Sequence, residues 1–370
     1  MNPHDEFDIQ IASSVDEVGV KVWDALSSGK PFQSARWFSF GEKVLSGSSP
    51  TYIILSRDSE LVARAALWLK RQEWLPITSP VVRFGAERLL EKWPLLACET
   101  PLASLSGLIL PETCQKAPAL ETIALITREL ATKNHASFAL FGYVNQDDSR
   151  QTGWPNSYSP VSYSDAETTL DITWLDFESY LKHLAKSTRR NYRLHCKQAD
   201  DMGIVIKVSP AVLDVDKALT LIQNVETCHR VGHRPWARAM LENAPMVDSL
   251  WISAQIGERI VGCCSLIGDG EAQSATLLGM DYSLSQSIYV YYQLIYAAIH
   301  YAIVRGCKLL YGGGGAYELK RRLGFKTLPD DYLVVSANGR LLEWVLRGSI
   351  RLMGLKKGDT EIQGDPDHPG

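Results

Sequence analysis

The sequence predicts an α/β protein built from two similar units, and three observations lead there. The 370 residues are enough for two domains of ordinary size. Hydrophobic residues make up 45% and charged residues 22%, a globular balance that excludes a mainly disordered chain. Strand hairpins alternate with helical segments, and the order of elements in the first half returns in the second.

Residues 13–26 carry apolar side chains at helical spacing (Val15, Val18, Val22, Leu26) and stop at Gly29-Lys30-Pro31. A second helix is expected over 34–45 with Ser34 as its N-cap. Residues 51–55 and 61–69 flank Arg57-Asp58-Ser59-Glu60 as a hairpin, and the stretches around Pro76, Pro80, Pro94 and Pro101 read as loop. A helix over 119–132 and a strand over 137–143 follow. Residues 145–164, rich in Ser, Asp, Asn, Gly and Pro, read as the boundary between units at 1–164 and 165–350. The polar segment 351–370 is expected to be a disordered tail.

The second half opens with a strand at 166–172 and one long helix over 177–202, ended by Gly203. A strand at 204–208 precedes helices at 212–230 and 235–243 and a hairpin across Gly257-Glu258. A strand at 273–281, a helix at 288–305 and a short strand at 309–311 lead into Gly312-Gly313-Gly314-Gly315.

The mostly apolar runs 261–267 and 294–299 fall far short of the roughly 20 residues that span a bilayer. The polar, acidic start is unlike a secretory signal, so the chain reads as soluble and cytoplasmic. Lys plus Arg is 38 against 42 for Asp plus Glu, a net charge of −4 that argues against a nucleic-acid-coating protein but leaves room for a local basic patch. Seven scattered cysteines without a CxxC pair read as reduced thiols. No metal site is expected: His229 and His233 are four apart, but Gly232 and Pro235 break any helix that would pair them.

Two stretches carry chemistry. Residues 179–199 hold no acid and six cations: Lys182, Lys186, Arg189, Arg190, Arg193 and Lys197. Steps of three and four place Lys182, Lys186, Arg189, Arg193 and Lys197 on one helical stripe. Like charges so spaced repel, so the stripe points to phosphates, or else to acids elsewhere in the fold. The second stretch is the glycine run with Lys320 one turn beyond it, where an ammonium can face developing negative charge. It matches neither a Walker A loop nor a dinucleotide fingerprint, and its plain alternative is a flexible turn.

The helix at 288–305, Gly306-Cys307-Lys308-Leu309-Leu310-Tyr311, the glycine run, Tyr317-Glu318-Leu319-Lys320 and Leu323-Gly324-Phe325 together resemble the C-terminal signature of the Fem-type peptidyltransferases. They resemble equally the FemAB-like members of the GNAT acyltransferase superfamily. The basic helix at 180–202 resembles that family's Lys-x-x-Arg-Arg-x-x-Arg helix. The resemblance implies two tandem GNAT-like domains with mixed sheets flanked by helices, and a site in the second. It implies an enzyme that moves an acyl or aminoacyl group from an activated donor to an amine. Aminoacyl-tRNA is the donor in the Fem branch, and acyl-CoA or an acyl-carrier thioester in others, as co-substrates rather than permanently bound cofactors. The loop Ser283-Leu284-Ser285-Gln286-Ser287-Ile288-Tyr289 lacks the glycines that a CoA pyrophosphate needs, which favours aminoacyl-tRNA or a carrier protein.

Lys320 is then expected to steady the carbonyl or a phosphate, with Glu318, Asp281, His229 and His233 as candidates for the base. Lys186, Arg189, Arg190, Arg193 and Lys197 are expected to hold donor phosphates, and Tyr289, Tyr292, Gly313, Gly314, Tyr317, His233 and Trp236 to line the substrate pocket. The acceptor is expected to be an amine of a small metabolite or a cell-wall-type precursor, with tRNA as a partner. A non-catalytic module binding a phosphorylated ligand or RNA is the alternative.

Overall fold

The computed structural model describes residues 6–73, 79–111, 116–163, 167–284, 287–329, 331–340, 342–344 and 346. The segment 351–370, expected to be a disordered tail, lies outside them, as do Ala166, Ser285 and Gln286.

The strands are β1 (Asp8–Ala12), β2 (Ser49–Arg57), β3 (Glu60–Lys70), β4 (Leu95–Cys98), β5 (Leu108–Ile109), β6 (Phe138–Val144), β7 (Ser159–Tyr163), β8 (Thr168–Asp171), β9 (Ile204–Ser209), β10 (Asp248–Ile256), β11 (Arg259–Asp269), β12 (Ala272–Met280), β13 (Leu309–Tyr311), β14 (Lys326–Thr327) and β15 (Asp331–Ala337). The helices are α1 (Val15–Val18), α2 (Val20–Asp24), α3 (Ala35–Val44), α4 (Pro80–Lys92), α5 (Lys116–Lys133), α6 (Gln146–Ser149), α7 (Phe177–His183), α8 (Lys186–Asp201), α9 (Val215–Cys228), α10 (Ala237–Asn243), α11 (Ser287–Val304) and α12 (Tyr317–Arg322).

Two mixed sheets result. The first runs β1-β2-β3-β4-β6-β15-β7, with β5 against β3; the second runs β9-β10-β11-β12-β13-β8-β14. The two orders match position by position. Each has one parallel pair, β4 with β6 and β12 with β13. In each, the strand next to that pair is antiparallel to both neighbours: β15 between β6 and β7, β8 between β13 and β14. Yet β15 follows the whole second sheet in the chain, and β8 precedes most of it. The second half thus lends β15 to the first sheet, while β8 stays with the sheet of its own half.

A shared core closes the seam. Trp23, Phe32, Trp37 and Trp68 of the first half are buried in one cluster with Leu221, Met240, Trp251 and Tyr311 of the second. The Ser34 N-cap holds: its Oγ accepts from the Trp37 N–H at 3.1 Å. The same serine donates from Oγ and N–H to the Asp269 carboxylate of β11, at 2.6 and 3.0 Å. A carboxylate at a helix N-terminus meets the positive end of the dipole, so α3 is pinned across the seam.

Three elements depart from the sequence reading. The expected long helix breaks at Leu184-Ala185, whose backbone is extended, because Leu184 turns into the core. The Arg189 guanidinium donates to the carbonyls of Lys182 and Leu184 and so satisfies the end of α7. Lys182 therefore lies on α7, paired with Glu178, outside the stripe. Second, the proline-rich stretch contains α4, since Pro80 opens that helix in its first turn, where a missing N–H costs nothing. Third, α11 is apolar and long enough to cross a membrane by length and composition. Here it packs on the second sheet through Val290, Leu294, Ala298 and Ile299.

A chain ending at residue 330 would leave the facing edges of β6 and β7 without their shared partner. We expect it to aggregate or to lose cooperative unfolding by circular dichroism; a truncated monomer with a native-like melt would contradict the crossing of β15 as a folding requirement.

Candidate functional site

β12 and β13 are hydrogen-bonded over three residues, Ala272 to Ser274 against Leu309 to Tyr311. β12 then continues to Met280, while the chain after Tyr311 turns away through the glycines. The β11–β12 register shifts between Cys264 and Leu266, a bulge that bends β12 further. The result is a wedge with α11 and α9 packed against its β12 side. The equivalent wedge of the first sheet is filled. There the Glu99 carboxylate takes the Lys70 ammonium at 2.5 Å and lies over Gly142, where a Cβ would come within 2.6 Å of it.

The glycine bend is one lip of the second wedge. Gly313 and Gly315 have φ of 74° and 75°, and Ala316 enters the left-handed region at 46°. For an L-residue that conformation costs about 1 kcal/mol, so something must hold it. Lys320 does so: it is 5% exposed, and its Nζ donates to the carbonyls of Gly313 at 2.9 Å and Gly314 at 3.0 Å. The Thr168 hydroxyl donates to the Gly313 carbonyl at 2.7 Å. Glu167 completes the clamp. Burial pushes its carboxyl up, against the pull of the Thr168 and Gly313 N–H groups, the Ser104 hydroxyl and the Lys320 charge. Ser104 belongs to the first half, as does Phe32, whose ring lies 5.3 Å from that of Tyr311.

Glu318 does not face Lys320. Residues two apart on a helix point apart, and Glu318 is exposed and bonded to Arg321 and Arg322, which hold its carboxyl below the usual range. Tyr317 is likewise exposed, beside the exposed Gly314 and half-buried Gly313. Asp281 directly follows β12, the other lip. Burial pushes its carboxyl up, but bonds from Ser283 and Arg259 prevail and hold it low. Near it, at the end of α9, the Asn224 amide donates to the Met280 carbonyl at 3.2 Å. The loop that follows α9 carries His229, His233 and Trp236, with Arg234 over the Trp236 ring at 5.9 Å.

The tyrosines of α11 face α8. Tyr292 stacks on His195 with centroids 3.7 Å apart, Tyr289 lies 6.0 Å from the same ring, and His195 Nδ1 is 2.8 Å from the Tyr296 hydroxyl. Arg322 of α12 stands close enough to draw the Tyr292 phenol down against the rise that burial causes. So α8, α11 and α12 converge. On α8, Lys186, Arg190, Arg193 and Lys197 are exposed and form no ion pair with any described residue. Arg189 is spent on the end of α7. Among the described residues no cluster of His, Cys, Asp and Glu suits a metal ion.

Sequence reading missed Glu167, Glu226, His195 and Arg322. These residues carry no spacing signal, because tertiary contacts alone bring them to the site.

No family model matches the chain, and no curated protein matches it. Solved structures do, and they show the fold, a tandem of GNAT-like units. FemX superposes with a TM-score of 0.58 at 12% identity, covering 92% of this chain and 99% of that one. A tandem GNAT protein from the clavulanic acid biosynthesis pathway, solved without AcCoA, superposes with a TM-score of 0.56 at 11% identity, covering 90% and 99%. The two sheets described above are therefore two GNAT-like units.

Replacing Lys320 with Met removes a charged donor from two carbonyls, and we expect a loss of about 2 kcal/mol in denaturant unfolding. The Glu167 carboxyl, raised in the fold, contributes stability below the ordinary glutamate range and loses it as pH rises toward its folded value. Glu167→Gln should therefore gain stability relative to the parent between about pH 4 and pH 7. Melting curves at the two pH values check this.

Proposed function

We propose that the protein transfers an aminoacyl or acyl group from a phosphate-bearing carrier to an amine, in the wedge of the second unit. The observation that carries this reading is the cationic stripe of α8 beside that wedge, Lys186, Arg190, Arg193 and Lys197, which no acid among the described residues pairs with. At the rise of an α-helix the stripe is about 16 Å long. That exceeds a single pyrophosphate and suits several phosphates of a nucleic-acid strand, which favours aminoacyl-tRNA over acyl-CoA or an acyl-carrier thioester as co-substrate. Tyr289, Tyr292 and Arg322 would receive the end of the carrier, and the amides of the glycine bend would face the carbonyl. Lys320 serves by holding that bend in shape.

The acceptor is an amine of a small metabolite or a cell-wall-type precursor. One fold relative belongs to a small-molecule pathway and another is FemX. We place the reaction in the cytoplasm, where charged tRNA and acyl thioesters are made.

The test is incubation with a pool of charged tRNA or with labelled acyl-CoA. Ribonuclease-sensitive transfer supports the tRNA donor, and product from acyl-CoA alone refutes it. Neutralising Arg190 and Arg193 together should weaken tRNA binding and reduce the slope of log K against log salt by about 2. An unchanged slope would count against the stripe. Binding without any transfer would favour a non-catalytic module.

A further inference from the structure

Glu226 lies in the last turn of α9 and is 2% exposed. Its carboxylate accepts from Arg234 at 2.8 Å and from the Arg234 N–H at 3.3 Å, and its other oxygen lies 2.9 Å from His233 Nδ1. The Val231 N–H donates to the Glu226 carbonyl at 3.0 Å, so both main chain and side chain tie the loop down. The guanidinium pairs with this buried carboxylate. An ionised carboxylate only accepts, so Nδ1 carries the proton and the lone pair of the neutral ring sits on Nε2. The His233 side chain is 54% exposed, and Nε2 bonds to no described residue.

The place is as telling as the tautomer. Cys228, two residues beyond Glu226, contacts the Tyr282 hydroxyl just past the end of β12. The Arg230 carbonyl accepts from Arg83 of α4, in the first half, at 3.5 Å. His233 therefore stands where the outer lip of the wedge meets the seam. The other carboxylates at the wedge are committed elsewhere: Asp281 to Arg259 and Ser283, Glu318 to two arginines, Glu167 to the glycine bend.

We propose that His233 is the base that takes the proton from the acceptor amine, and that Glu226 is its positioning residue. The inference rests on the acyl-transfer reading above. As the amine nitrogen bonds to the donor carbonyl carbon, Nε2 accepts the amine proton. When the ester or thioester bond breaks, the imidazolium returns that proton to the departing oxygen or sulfur. The Nδ1 proton stays with Glu226 throughout.

Two measurements on the full chain test this. In the first, diethyl pyrocarbonate labelling is followed by mass spectrometry. His233 should react several-fold faster than the exposed His183 and His229. Glu226→Gln should slow His233 alone, and Glu226→Asp should restore part of the rate. The two reference histidines report whether each variant keeps its fold. Labelling of His233 at their rate, or unchanged by Glu226→Gln, overturns the dyad whatever any donor assay gives. In the second, His233→Gln is assayed with charged tRNA and acyl-CoA, and kcat should fall roughly 100-fold with donor KM kept. An undiminished kcat also overturns the dyad. A parent protein that turns over neither donor, with His233 still labelled fast, overturns the acyl-transfer reading instead.

Discussion

The crossing of β15 into the first sheet, with β8 at the matching place in the second, sets where everything else stands. The first sheet is completed next to its parallel pair by a strand from the second half, so it does not close without that half. Because β8 enters the second sheet directly from the linker after β7, Glu167 and Thr168 arrive beside the end of β13. The start of β8 thereby becomes part of the bend: the Gly312 N–H donates to the Thr168 carbonyl at 2.8 Å. The Asp269 cap on α3 and the aromatic cluster of Trp37, Phe32 and Tyr311 then lock the seam. A site assembled from both halves, with Ser104 and Glu167 around one glycine run, follows from that connection rather than from local sequence.

The two parallel pairs also differ in what lies beside them. In the first sheet the space past β4 is taken by Glu99, which carries a buried ion pair with Lys70 and has Gly142 cleared for it. In the second sheet, Asp281 and Glu318 are bound to neighbours on their own lip, and Glu167 is held in the glycine bend. Two units of near-identical architecture thus differ in what occupies the space beside the parallel pair.

Much of this was legible before the coordinates. The hairpins, the Ser34 cap, the β12 strand, α11 and the glycine bend rest on local signals, alternation, capping residues and glycine, that tertiary structure did not override. What was not legible has physical reasons. Chain order cannot say which sheet a strand joins, so β15 could not be assigned to the first. Pro80 breaks a helix interior yet opens a helix at its first turn, and α4 was lost to that ambiguity. The break at Leu184 depends on a core contact, not on a breaker residue. Glu226 and His233 are seven apart across a loop, a spacing with no periodic meaning.

The sequence left the glycine run between two readings, a flexible turn and a shaped cradle. A turn free to flex would not pair a buried ammonium with two of its carbonyls, nor hold Ala316 in the left-handed region. The ordering of that bend is entropically costly, and Lys320, Thr168 and Glu167 offset the cost from three directions. Ordering offset in this way leaves the backbone amides fixed before any substrate arrives. Fixed dipoles stabilise a developing charge without reorganising. Lys320, expected from the sequence to steady the carbonyl or a phosphate, thus acts on the backbone of the bend, and under the proposed reading it is the fixed amides that would face the developing charge.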